Sequence, residues 1–291
     1  MEYKRRNPLV AAFLSFIQPG LGQFYNGELK KSLLFFIAPF LVVLFFYFSP
    51  IISIVWGFYV ALSASLIIRI VSSIESFYSA SKKENYELKK INSLSYYLII
   101  LFGWGFLSGV LIDSLKDISR YKSYKIPSAV MKNTLLTGDF LIADDKFYIN
   151  NEINYGDIVL FYPPHIKNSP WIQRVVAQEG DSIEIINGTF FLNGVDTSFT
   201  NTKTRLRPSV LDPSFNDPQI FNGKGNTDNF GPYRVPKNQV FLLGDNRDNS
   251  FDSRYFGFVD KNQIFGKPLY IWMSFNEALI PRFDRTMKLI E

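Results

Sequence analysis

The sequence predicts a helical membrane anchor of about three transmembrane helices, with a short re-entrant or interfacial segment before them and an all-β domain after them. Three observations carry this. Long apolar runs nearly free of charge occupy much of the first 112 residues. From Tyr121 onward the apolar runs shorten to a few residues each, rich in Ile, Val, Phe and Tyr, with Gly, Asn, Asp and Pro between them. Asn187-Gly188 and Asn193-Gly194 then supply tight-turn signals of the kind that close two-stranded hairpins.

Composition narrows the chemistry. A chain of 291 residues holds one large domain or two small ones, and 47% hydrophobic with 17% aromatic residues is high for a soluble protein. The net charge of +5 is modest, and no basic run is interleaved with aromatics suited to stacking on bases, so nucleic acid is not an expected partner. The absence of cysteine excludes disulfides, Cys-ligated zinc and Cys nucleophiles. One histidine, His165 in a Pro-Pro-His-Ile-Lys turn, excludes a multi-His metal site and reads as a solvated loop residue. No Gly-x-Ser-x-Gly elbow accompanies it. No metal or cofactor is expected.

Taken in order, Lys4, Arg5 and Arg6 precede an apolar segment from Leu9 to Ile17. That segment is too short for a hydrocarbon core needing about 20 residues, and no small-residue cleavage site follows it. Gln18-Pro-Gly-Leu-Gly-Gln-Phe-Tyr-Asn-Gly27 interrupts it, a stretch that resembles a short motif of small two-helix membrane modules and implies no chemistry. With an apolar run too short to span, residues 1–30 read as a re-entrant or interfacial hairpin. The spans fall at Ser32–Phe48, Ile51–Ile70 and Leu94–Ile112, within residues 31–120. Pro39 marks a kink in the first, and Gly103, Gly105 and Gly109 permit close helix contact in the third. Lys30 and Lys31 precede the first span, and Lys82, Lys83, Lys89 and Lys90 lie between the second and third. Basic residues stay on the cytoplasmic side, so three crossings leave residues 121–291 outside the cytoplasm.

In the β half, Ile158–Tyr162, Ile172–Ala177, Ser182–Ile186, Thr189–Leu192, Val240–Leu243 and Leu269–Met273 read as strands. Glu184 to Leu192 reads as a hairpin across Asn187-Gly188. Between about 195 and 235 the apolar pattern thins, which predicts an insertion or cap folded onto the main sheet.

Four blocks carry the functional signal. They are Lys125-Ile-Pro-Ser-Ala-Val-Met-Lys-Asn-Thr-Leu-Leu-Thr-Gly-Asp139, Gly156-Asp-Ile-Val-Leu-Phe161, Ile172-Gln-Arg-Val-Val176 with Gly180-Asp181, and Gly244-Asp-Asn-Arg-Asp-Asn-Ser250 with Asp252-Ser-Arg254. In this order they resemble the type I signal peptidases, membrane-bound serine proteases that remove secretory signal peptides. The resemblance covers roughly residues 121–275 and implies a signal-peptidase-like extracytoplasmic β domain in a bacterial plasma membrane, with secretory preproteins and lipid as partners.

That family uses a Ser/Lys dyad, in which a buried lysine kept neutral activates the serine and backbone N–H groups stabilise the oxyanion. The resemblance puts Val130 at the nucleophile and Gln173 at the base, so neither reactive group is present. Asn133 replaces a proline. Ser128 matches the oxyanion-hole hydroxyl, and Ser250 the serine that orients the lysine. Ile126, Pro127 and Ile172 match the substrate groove, and Met131 an apolar residue dipping toward lipid. Asp252 and Arg254 match a supporting charged pair, with Asp245 and Arg247 in the same loop. Arg174 faces away from Gln173 along a strand and reads as a salt-bridge partner.

Three readings follow. The first is a pseudopeptidase that binds signal-peptide c-regions as an added strand, alongside a catalytically active paralogue. The second is a working peptidase with a displaced dyad, Ser128 with Lys125 or Lys132, on a strand where Ser128 and residue 130 share a face. The third places the function in the membrane half, which deletion of residues 1–90 would separate from the others. The Gly244–Arg254 loop also has a purely structural reading, as a hydrogen-bonded fold element.

Overall fold

A computed structural model describes residues 3–88, 90–115, 118–164, 169–196 and 229–291. His165 and most of the expected 195–235 insertion lie outside the described residues. The chain separates into two compact units, Met1–Ser119 and Arg120–Glu291.

In the first unit, Asn7 caps α1 (Pro8–Ile17), its side chain accepting from Leu9 N and Val10 N. Proline at the first position fits a helix start, where no N–H partner is needed. α1 turns through Gly20, at φ 99°, into α2 (Leu21–Tyr25). α3 (Leu29–Phe48), α4 (Gly57–Ser81) and α5 (Leu94–Leu115) are long and apolar enough to cross a membrane. Apolar side chains such as Leu33, Ile67, Phe102 and Phe106 are exposed on them, as lipid-facing helices require. A two-residue pair, β1 (Tyr3–Lys4) with β2 (Tyr86–Glu87), ties the N-terminal stretch to the segment after α4.

The second span differs from the sequence expectation. Pro50–Ser53 forms a 3-10 turn, and α4 begins at Gly57 and continues past Arg69 to Ser81. Arg69 does not end the helix because its charge is used locally: Nη1 donates to Phe16 O at 2.9 Å and Ile17 O at 2.5 Å. Those are carbonyls left without helical partners at the end of α1. Below it, α4 presents Ser72 and Ser76 one turn apart. Gln23 Nε2 donates to Ser72 O at 2.9 Å, and Asn26 Nδ2 to Ser76 O at 2.8 Å. A Cβ at Gly22 would fall 2.1 Å from Ala11 O, so only glycine lets α2 approach α1 this closely. The glycine-rich segment is thus a helical hairpin locked onto α4.

In the second unit β3 (Tyr121–Lys125), β4 (Asp139–Asp144), β5 (Ile158–Phe161) and β6 (Trp171–Gln178) come first, with α6 (Phe147–Asn150) between β4 and β5. β7 (Ser182–Ile186), β8 (Thr189–Leu192), β9 (Val195–Asp196), β10 (Phe230–Arg234) and β11 (Gln239–Leu243) follow. α7 (Ser253–Phe256), β12 (Val259–Asp260), β13 (Ile264–Ser274) and β14 (Lys288–Leu289) complete it. The larger sheet runs β12-β11-β6-β5-β13-β4-β3, with β14 also on β13, and the smaller runs β10-β7-β8-β9. All described pairings are antiparallel.

The hairpin expected across Asn187-Gly188 is present with Ile186 opposite Thr189, and Asn193-Gly194 closes a second with Leu192 opposite Val195. All four turn residues have positive φ, the conformation that matches strand twist and favours Asn-Gly. The longest strand, β13, pairs with β4 on one side and β5 on the other, joining the two halves of the larger sheet.

Candidate active site

The segment 127–138, read from sequence as running into a strand, is a series of turns between β3 and β4. Lys132 N donates to Ala129 O, and both Thr134 N and Leu135 N donate to Met131 O. The alternation argument that put Ser128 and residue 130 on one strand face therefore does not hold. Asn133 sits at φ 96°, a backbone angle that proline, held near −65°, cannot adopt. Asparagine is among the few residues that tolerate the left-handed region. The turn here has a geometry of its own.

Its inner face is apolar. Ile126, Met131, Leu135, Leu141, Ile158 and Ile271 form one buried cluster, with Val130 and Ile172 packed against it. The structure thus brings Ile126, Val130, Met131 and Ile172 together. Met131, expected to dip toward lipid, is 1% exposed, and its Sδ lies 3.5 Å from Asp245 N. Ile126, expected as a pocket wall, is 4% exposed and belongs to the core, whereas Ile172 is half-buried. Pro127 and Ser128 are exposed. Beside the turn, a cavity of about 530 Å³ is lined by Ala129, Lys132, Leu136 and Thr137 on one side and by residues 276–278 and Arg282 on the other.

The loop after β11 clasps this turn. Asn246 N donates to Val130 O and Asn246 Nδ2 to Ala129 O, both at 2.9 Å. Asp245 accepts from Thr134 Oγ1 at 2.5 Å and from both Nε and Nη2 of Arg174 at 2.8 Å. Arg174 Nη1 reaches Gly156 O at 2.7 Å. With Nη2 also donating to Thr134 Oγ1 at 3.5 Å, one arginine joins all four sequence blocks, and it makes the structural ion pair that strand alternation suggests. Gly244 permits the clasp, since a Cβ there would meet Ser250 Oγ at 2.2 Å and Val130 O at 2.8 Å.

Behind the clasp lies a buried ion pair. Arg254 Nε and Nη2 donate to Asp252 Oδ1 and Oδ2 at 2.8 and 2.9 Å, with the two side chains 2% and 0% exposed. Asp252 also accepts from Gly244 N, and Arg254 Nη2 donates to Arg247 O. On β6, Gln173 is fully buried. Its Nε2 donates to Phe251 O at 2.8 Å, while its Oε1 has no hydrogen-bond partner among the described residues. Among the same residues Ser250 Oγ is likewise buried without a partner.

Lys125 and Lys132 are both exposed. No hydrogen bond joins either to Ser128 among the described residues, and neither has the burial that a neutral lysine base requires. The same residues contain no group of three or more His, Cys, Asp or Glu side chains able to hold a metal.

Sequence reasoning missed the knot that closes the segment. Asp139, fully buried, accepts from Arg285 Nη2 at 2.6 Å, Ser274 Oγ at 2.7 Å and Leu136 N at 2.8 Å. Neither Arg285 nor Ser274 stands in a recognisable motif. Burial pushes the Asp139 carboxyl up, but the bonds from Arg285, Ser274 and Leu136 outweigh it and hold the pKa below the usual value. A depressed folded-state pKa contributes stability above the unfolded value, near 3.9, and loses it as pH falls through the folded value. The urea midpoint of the β unit is expected to fall more steeply below about pH 4 in the natural protein than in Asp139→Asn; parallel slopes would contradict this.

The described residues thus comprise three helices long and apolar enough to cross a membrane and, in the other unit, an antiparallel β fold that carries the clasped loop. The family model described as "Signal peptidase, peptidase S26" matches residues 104–273, more than half of the chain, and the chain belongs to that family. It is 30% identical over 177 residues to a signal peptidase I of Bacillus caldolyticus, covering 60% of this chain and 91% of that protein. It is 32% identical over 152 residues to a probable signal peptidase I-1 of Synechocystis sp., covering 50% and 67% respectively. A crystal structure of a signal peptidase I from Enterococcus faecalis V583 aligns at 25% identity over 40% of this chain and 97% of that one, with a TM-score of 0.29.

Proposed function

We propose that this protein is a membrane-anchored signal peptidase homologue that binds the signal-peptide c-regions of preproteins without cutting them. The observation that carries the reading is Gln173. An amide cannot take up a proton near neutral pH, and this one is buried with its nitrogen bonded to Phe251 O. Val130 supports it, since its side chain packs onto an apolar cluster and offers no nucleophile. Loss of both members of such a unit removes nearly all of the catalysis they perform together.

The substrate class is that of the family: preproteins with signal peptides. An extended c-region would add as a strand beside the 126–128 segment, with small side chains toward Ile172. Lys30 and Lys31 at the start of α3 and Lys82 and Lys83 at the end of α4 support a cytoplasmic location for those helix ends, with the β unit on the other side of a bacterial plasma membrane. Cutting would then fall to an active family member in the same cell.

Fluorescence anisotropy of a labelled Ala-x-Ala c-region peptide with the full chain in detergent tests the binding. Saturable binding is expected, weakened about tenfold or more by Ile172→Glu, which sets a charge in a half-buried apolar position. Absence of binding by the natural protein would overturn the reading.

A further inference from the structure

Arg247 is a cation of the loop that clasps the turn. Its chain neighbour Asn246 makes the clasp to Val130 O and Ala129 O, so the Arg247 backbone follows directly on the residue that touches the turn. The other two arginines around this loop are each held at two points, Arg174 by Asp245 and Arg254 by Asp252. Arg247 is half-buried, and among the described residues no hydrogen bond or ion pair engages its guanidinium; only its backbone carbonyl is used, by Arg254 Nη2. Burial, and after it the charge of Arg254, lowers its pKa to about 10, which leaves it protonated at neutral pH. Three residues further on, Ser250 Oγ is a second unspent donor, buried and unpartnered. Val130 and Gln173 add no negative charge, and the two carboxylates that act on Arg247, Asp245 and Asp252, are already bonded by Arg174 and Arg254.

The unspent donors indicate what would sit best here. A continuous chain crossing the position of Val130 presents a neutral peptide group. A chain that ends there presents a carboxylate, which a guanidinium fork holds through two charge-assisted bonds. We infer that Arg247 binds the terminal carboxylate of a peptide ending in the groove, so that the protein retains cut signal-peptide c-regions in preference to uncut preproteins. This rests on the c-region reading above and narrows its ligand to the product of a peptide-bond hydrolysis performed by another enzyme.

The test uses the full chain in detergent and three labelled peptides of one sequence. One ends in Ala-x-Ala with a free carboxylate, one ends there as an amide, and one continues for a few residues. The acid is expected to bind about tenfold or more tightly than the other two. Arg247→Gln should bring the three affinities together, and Arg247→Lys, which keeps the charge but not the fork, should preserve part of the preference. Equal affinities for all three peptides in the natural protein would overturn the carboxylate assignment and leave c-region binding standing. A preference that survives Arg247→Gln would overturn the role of Arg247. Failure of all three to bind would overturn the inference together with the reading beneath it.

Discussion

Arg254→Ala should destabilise the β unit by about 3–5 kcal/mol, because it leaves the Asp252 carboxylate buried and uncompensated. Against a total of about 5–15 kcal/mol for a domain, that is enough to unfold a marginal one. The expectation follows from the geometry: Arg254 satisfies both oxygens of a fully buried carboxylate and the carbonyl of Arg247. Asp252 in turn holds Gly244 N and caps α7 through Arg254 N. The double variant Asp252→Asn/Arg254→Met should recover much of the loss, since Asn keeps an oxygen for the cap and no buried charge remains. Thermal unfolding followed by tryptophan fluorescence would show a drop of roughly 6–20 °C for the single variant. A shift below about 2 °C would mean that the loop is not a structural keystone and that the pair exists for some other purpose.

Val130→Ser/Gln173→Lys is expected to cleave an Ala-x-Ala signal-peptide substrate at least about a thousandfold faster than the natural protein, because two groups that act as a unit return together. A lysine at 173 would lie in a fully buried position beside Phe251 O, the carbonyl of the residue that follows Ser250. Burial disfavours the ammonium and the carbonyl orients the amine, the two conditions a lysine base needs. Either single variant should stay close to the natural level. Asn133 is best left in place, since its φ of 96° would clash with a restored proline.

The parts of the molecule that sequence made legible are those governed by local chemistry. The Asn187-Gly188 and Asn193-Gly194 hairpins form because two residues dictate the turn. The three apolar helices follow from length and hydrophobicity alone. By contrast, β3, with sequence Tyr-Lys-Ser-Tyr-Lys, gives little strand signal, because it is an edge strand whose lysines suit a free edge. The end of α4 lies beyond the sequence expectation because the Arg69 guanidinium is bonded by the carbonyls of Phe16 and Ile17, more than 50 residues away in the chain. At the site, the four sequence blocks located Val130, Gln173, Ser250 and the Asp252–Arg254 loop by order and spacing. They could not show that Met131 and Ile126 turn into the core, nor that Asn246 clasps the turn. Those facts depend on contacts between segments over 100 residues apart.

The most direct test of the central claim is turnover of a fluorogenic Ala-x-Ala signal-peptide substrate by the natural protein in detergent, run beside Ser128→Ala. The natural protein is predicted to show no cleavage above background, with Ser128→Ala indistinguishable from it. Cleavage by the natural protein that disappears in Ser128→Ala would contradict the account and make this a working peptidase with a displaced nucleophile.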